Sequence, residues 1–349
     1  MSTHPDGNAP VVVVTGASAG VGRAAARLFA AHGYDVALLA RGRDGLAAAQ
    51  TEVEKAVSRA LAIPVDVSDP AQVEAAADRV ERELGPIDVW VNDAMVTVMS
   101  RIADSDPHDY RRVTEVTYLG AVHGTLAALR RMLPRDRGTI VQVGSALAYR
   151  AIPLQSAYCA AKFALRGFTD SLRSELMHDG SRVHVTMVQL PGLNTPQFLW
   201  SRLRFDRQPQ PVPPIYAPEV AARAIVFAAR ARRREIFVGG RNALLILGNK
   251  IAPWLGDWYL AKTGFDSQFT DQPVDRHRPD DLDAPLAGDW GASGPFRARA
   301  HTRSPQLWAS RHRGALIAGA LAVAAVAWLG RGRLGPRYLA SRLPPRLGA

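Results

Sequence analysis

The chain reads as an α/β protein built on one doubly wound parallel sheet of about seven strands, with a helical extension at its C-terminus. Three observations carry that reading. Seven short apolar or β-branched runs alternate with longer stretches of helical period over residues 11–240. The first run opens onto a glycine-rich turn and then a helix. Small and polar residues recur at the C-terminal ends of the runs, where ligands bind in open parallel sheets.

Val11-Val12-Val13-Val14-Thr15 is continuous and β-branched, as expected of a strand buried on both faces. The turn Thr15-Gly16-Ala17-Ser18-Ala19-Gly20-Val21-Gly22 follows, and residues 23–32 keep helical register. Further strands are predicted at 36–40, 61–65, 87–91, 139–143, 183–190 and 235–238, with helices around 43–59, 70–84, 107–133, 156–179 and 217–232. Residues 1–10 are expected to be a flexible N-terminus and 11–240 one domain. Residues 193–218 hold Gln208-Pro209-Gln210-Pro211-Val212-Pro213-Pro214, too proline-rich for a helix and too long for a simple crossover turn, which marks a functional loop. The apolar, aromatic stretch within 241–265 predicts a helical cover on the substrate side. Residues 266–310 read as a polar linker, and 311–349 as a basic tail around the uncharged segment 314–330.

Composition narrows the function. An apolar fraction of 47% with 21% charged residues excludes a disordered or collagen-like chain. Cys159 is the single cysteine and the nine histidines form no HxH or HxxxH pair, so neither a disulfide nor a metal site is expected. The net charge is +11, but ten of those charges are arginines in residues 297–349, a stretch without Asp or Glu, which leaves +1 for residues 1–296. A nucleic-acid partner is not expected from such a near-neutral body, since the tail lacks interleaved aromatic platforms.

The glycine-rich turn fits a dinucleotide pyrophosphate, because glycines let the backbone approach and the following helix N-terminus offers N–H donors. The end of the second strand discriminates between dinucleotides. An acidic residue there would accept ribose hydroxyls; the chain has Ala40 followed by Arg41, whose guanidinium suits a 2′-phosphate. The expected cofactor is therefore NADP rather than NAD. Tyr158 and Lys162 stand i, i+4 at the start of a helical stretch, so one helix face carries a phenol beside an ammonium that is expected to favour the phenolate. Thirteen residues upstream Ser145 ends a buried strand, placed to hydrogen-bond a reacting oxygen. Asp66, Asn92 and Pro191-Gly192 fall at other strand ends.

With these motifs in order and spacing over roughly residues 10–240, the chain resembles the short-chain dehydrogenase/reductase family, in its main single-domain branch with a Rossmann-type sheet. The resemblance implies hydride transfer between a nicotinamide cofactor and an alcohol or carbonyl. It implies Tyr158 as acid/base, Lys162 on the nicotinamide ribose and Ser145 orienting the substrate oxygen. Gly16, Ser18, Gly20, Val21 and Gly22 would line the phosphates, and Asp66 and Val67 would meet the adenine. Asn92 and Ala94 would hold the fourth-strand turn, and Pro191, Gly192 and Thr195 would lie by the carboxamide. Two positions depart from the pattern: Asn92-Asp93-Ala94-Met95 replaces Asn-Asn-Ala-Gly, and Thr117 stands where the family places a relay asparagine. A homo-oligomer is implied as well.

An aromatic cover and Phe198-Leu199-Trp200 predict an apolar substrate. Segment 314–330, flanked by arginines that can snorkel, leads us to expect a C-terminal membrane anchor on a cytoplasmic catalytic domain, with a buried or interaction helix as the alternative. The competing functional reading is a weakly active or inactive cofactor-binding scaffold recruited by its tail.

Overall fold

The structure is a computed structural model that describes residues 9–56 and 58–332. Seven strands form one parallel sheet: β1 (Val11–Thr15), β2 (Asp35–Ala40), β3 (Ala60–Pro64), β4 (Ile87–Asn92), β5 (Thr139–Ser145), β6 (His184–Leu190) and β7 (Glu235–Phe237). Their order across the sheet is β7-β6-β5-β4-β1-β2-β3. The order reverses at β1, where β1 pairs in parallel with both β2 and β4, and this opens a crevice at the C-terminal strand ends. The expected sheet is present, with strand ends within three residues of the sequence reading.

Helices cover both faces. α1 (Gly20–Ala31), α2 (Arg43–Glu54), α3 (Pro70–Glu83), α4 (Pro107–Thr114), α5 (Gly120–Met132) and α6 (Ser156–His178) come in chain order, followed by the single turn α7 (Gln197–Trp200) and α8 (Pro218–Arg230). Apolar residues of α3, α5 and α6 join one core cluster with β1, β2 and β4. Trp90 at its centre is fully buried, and its indole N–H donates to Asn92 Oδ1 at 2.9 Å. The helix expected over 107–133 is interrupted: residues Glu115–Leu119 form a π-helical turn between α4 and α5. The proline-rich loop gains structure by pairing, Arg202–Leu203 in parallel with Val98–Met99 and Arg207–Pro209 antiparallel to Phe269–Pro273. The expected helical cover is α9 (Gly240–Ile251) and α10 (Pro253–Thr263).

The linker expected over 266–310 is not a linker. The described residues up to Ser304 form one compact unit. Several polar side chains of 266–304 bond the rest of the unit: Arg202 spans Asp280 and Asp283 at 3.0 and 2.8 Å, and Arg23 joins Asp289 to Glu52. Leu282, fully buried, enters the main core cluster. Asp and Arg tracts mimic a linker when their partners lie 78 to 266 positions away.

Pro305–Ala349 is a second unit, described as far as Gly332, with α11 (Pro305–Arg311) and α12 (Arg313–Gly332). Among the described residues no helix is long and apolar enough to cross a membrane, which corrects the spanning anchor expected at 314–330. Seventeen uncharged residues reach about 25 Å as a helix against a hydrocarbon core of about 30 Å, and arginines close both ends. Most of the expected flexible N-terminus and the tail beyond Gly332 lie outside the described residues.

Candidate active site

A cavity of about 800 Å³ opens at the C-terminal ends of β1–β6. One half is built by the glycine-rich turn. Gly16 (φ +72°) and Gly20 (φ +57°) take left-handed backbone, and a Cβ on Gly16 would sit 2.9 Å from Ala94 Cα. The turn is tied to the end of β4 by Thr15, whose hydroxyl accepts from the N–H groups of Asp93 and Ala94 at 3.0 and 3.1 Å. Gly16, Ser18, Gly20, Val21 and Ala94 line the cavity as expected. Gly22 does not; it lets α1 start against the Gly16 carbonyl. Asn92 is also beneath the cavity rather than in it, donating to Gln142 at 3.0 Å and Thr125 at 3.1 Å. It anchors β4 to β5 and α5, so its expected place on the cofactor is corrected to a structural one.

At the far end of this half Arg41, Asp66 and Val67 line the wall. Burial weighs against the charged form of Asp66, but bonds from Arg112 (2.5 Å) and Ser68 outweigh it and hold the carboxyl below its usual range. Arg41 is lowered by burial. Its guanidinium donates to the carbonyls of Asp281 and, at 3.2 Å, Leu282, both from the C-terminal segment.

The other half holds the reactive groups. Ser145 ends β5, and its hydroxyl hydrogen-bonds the Tyr158 phenol while accepting from Leu147 N–H at 3.1 Å. One turn along α6, Lys162 donates to the Val143 carbonyl at 2.7 Å, with its ammonium 5.6 Å from the Tyr158 ring centroid. Desolvation raises the Tyr158 pKa, the Ser145 bond opposes this and Asp93 adds to it. The Lys162 ammonium bonds a carbonyl rather than the phenol oxygen, and burial outweighs the other influences on Tyr158. Burial lowers Lys162, with Asp93 opposing; burial likewise raises Asp93, with Lys162 opposing. Pro191, Gly192 and Thr195 complete this half.

Thr117 does not reach the cavity. Set in the π-turn, its hydroxyl accepts from Val96 N–H (3.1 Å) and donates to Val96 C=O (3.0 Å), so it clamps the loop just after Met95. Its expected catalytic place is corrected accordingly; a hydroxyl doubly bonded to one backbone unit has no proton to relay.

The outer wall is apolar: Phe198, Trp200, Tyr259, Leu260 and Trp290 face the opening. Trp200 and Trp290 meet edge to face at 5.3 Å. Sequence reading missed Asp93, Asp281 and Trp290. Asp93 had a local signal, standing beside Asn92 where a second asparagine is usual, whereas Asp281 and Trp290 had none.

Comparison with known proteins agrees with this layout. The family described as short chain dehydrogenase matches residues 10–201. The Uncharacterized oxidoreductase YxnA of Bacillus subtilis is 29% identical over 320 residues, covering 91% of this chain and 89% of that protein. The 3-dehydrosphinganine reductase of Danio rerio is 34% identical over 196 residues, covering 55% of this chain and 58% of that one. A Thermococcus sibiricus alcohol dehydrogenase structure, complexed with 5-hydroxy-NADP, shares the fold with a TM-score of 0.57 at 24% identity, over 66% of this chain and 96% of that one. The chain belongs to the short-chain dehydrogenase/reductase family of oxidoreductases.

Proposed function

We propose that the protein reduces a carbonyl on an apolar substrate, or oxidises the matching alcohol, with NADP as cofactor and Tyr158 as the proton donor or acceptor. The observation that carries this reading is the meeting of Ser145, Tyr158 and Lys162 in the same cavity as the glycine-rich turn. The residues fit a nicotinamide dinucleotide: side chains at Gly16 and Gly20 would be strained in their left-handed backbone, and the first turn of α1 offers a positive dipole end. Gly16, Ser18, Gly20 and Val21 would hold the phosphates, Arg41 a 2′-phosphate, Asp66 and Val67 the adenosine, Lys162 the inner ribose, and Thr195 with Pro191 and Gly192 the carboxamide. When bound, the cofactor supplies the hydride-donating or hydride-accepting carbon.

The chain's own contribution is proton chemistry and orientation. With its pKa raised by desolvation, the Tyr158 phenol is protonated at neutral pH, the form that donates to an oxygen gaining negative charge during reduction. Ser145 bonds that same phenol and shares its target. The aromatic wall supports a substrate longer or broader than a small sugar, and a relative named as a 3-dehydrosphinganine reductase supports the reductive direction. Exposed Leu126 and Leu133 at α5 and Phe163 on α6 support self-association, which light scattering reads directly.

The test is NADPH consumption with aldehydes and ketones of increasing apolar length. Turnover is expected to rise with apolar size and to fall about 10²–10⁴-fold in Tyr158→Phe, without loss of cofactor binding. No turnover with any carbonyl, and no effect of Tyr158→Phe, would leave a cofactor-binding scaffold instead.

A further inference from the structure

The adenosine end of the cavity is walled by charges from two parts of the chain, and nearly all of them are paired. Arg112 holds Asp66 at 2.5 Å. Arg202 takes Asp280, Asp283 and Asp109 at 3.0, 2.8 and 3.2 Å. His108 reaches the other oxygen of Asp283 at 2.7 Å. Among the described residues, Arg41 and Asp281 are left over. Arg41 donates to main-chain carbonyls of the C-terminal segment, which orient its guanidinium without neutralising it. Asp281 lines the cavity, and its Oδ1 is shut off from solvent with no hydrogen bond to accept.

A buried carboxylate oxygen without a hydrogen bond is costly and calls for an explanation. The carboxyl is accordingly pushed up to about 7, first by desolvation, with Arg41 opposing and Asp280 reinforcing. Its backbone is fixed: Asp281 N–H donates to Trp200 C=O at 3.1 Å, and Leu282 is anchored in the core. Because Asp281 lines the cavity beside Arg41, a rotation of its side chain toward the ligand space lets the carboxylate accept hydroxyl hydrogens and repel a phosphate, the reverse of what Arg41 does.

We infer that Asp281 is a second determinant of cofactor specificity, supplied by the C-terminal segment, which takes ribose hydroxyls and opposes the preference of Arg41 for a 2′-phosphate. This rests on the nicotinamide-cofactor reading above. An acceptor for the ribose, missing from the end of β2, is thus provided from 241 residues further along the chain. The enzyme accepts both dinucleotides with modest discrimination, because its two determinants pull against each other.

Binding of NADPH, NADH, adenosine 2′,5′-bisphosphate and 5′-AMP to the full chain, measured by calorimetry without any carbonyl substrate, tests the inference. In Asp281→Asn the ratio of affinities, phosphorylated over unphosphorylated, is expected to rise by about tenfold or more in both ligand pairs, the size expected for removing one charge near a phosphate. Arg41→Gln should move the ratio the opposite way. Asp281→Ala provides a second variant that also lacks the charge, and it should match Asn in direction. A ratio within twofold of wild type in both Asp281 variants overturns the inference while leaving the cofactor reading intact. Failure of the wild-type chain to bind any of the four ligands overturns both.

Discussion

The sheet edge and the C-terminal segment 266–304 face each other across one cavity, yet they are specified in opposite ways. The strands that present Gly16, Ser145 and the residues around them are held by apolar runs with short-range periodicity, such as the fully buried Val12, Val13 and Val14 of β1. The C-terminal segment has little regular structure of its own. It stays in place through a few apolar anchors and a set of long-range polar bonds: Gly20 N–H to Gly291 C=O at 3.1 Å, Gly288 N–H to Asp44 at 2.7 Å, Phe296 N–H to Asn194 at 2.8 Å. The comparison teaches that a site can be half legible. The half made by periodic elements carries the chemistry common to the family, and the half made by long-range polar contacts carries what is particular to this chain.

The sharpest way to break the comparison is a matched pair of truncations. Leu38 in β2 and Leu282 in the segment are both 0% exposed. Each change to Ala should cost about 2–5 kcal/mol in urea unfolding, with one cooperative transition. A cost below about 1 kcal/mol for Leu282→Ala would mean that the segment is appended to the core rather than folded with it.

A second prediction concerns the reactive half. Lys162 is lowered by burial and partly restored by the Asp93 carboxylate. Asp93→Asn removes that support, so Lys162 loses its proton at lower pH, and the alkaline limb of the pH–activity profile should move toward acid. An unmoved limb would show that the Asp93 carboxylate does not support the ammonium. At the segment itself the effect is smaller: Trp290→Ala removes an edge-to-face partner of Trp200 and should cost about 0.5–1.5 kcal/mol, since Trp290 is 38% exposed. Its larger consequence should be a weaker preference for bulky apolar carbonyls.

Much of the fold was legible because burial on both faces of a parallel strand leaves an apolar signature, continuous over most of β1 and β2 and broken by a few polar residues in β5 and β6. The glycine turn and the Tyr158–Lys162 spacing were legible because each is a local device, one a backbone conformation and the other one turn of helix. Thr117 and Asn92 misled for the same reason in reverse. Their positions in the chain were right, but which way each side chain points depends on Val96, Thr125 and Gln142, which lie at least 21 residues away. The π-turn at Glu115–Leu119, which aims Thr117 at Val96, has no signature in hydrophobic period.

What the sequence determined by itself was therefore the parallel sheet, the order of its elements and the residues that meet at its C-terminal edge. All of these follow from periodicities of two to four residues and from glycines that only one backbone conformation suits. Tertiary structure alone decided that residues 266–304 help wall the cavity, that Arg41 is oriented by two carbonyls, and that, among the described residues, Asp281 Oδ1 is left without a hydrogen bond. Polar contacts of that kind depend on the distance and direction between groups brought together by the fold, and no pattern along the chain encodes either.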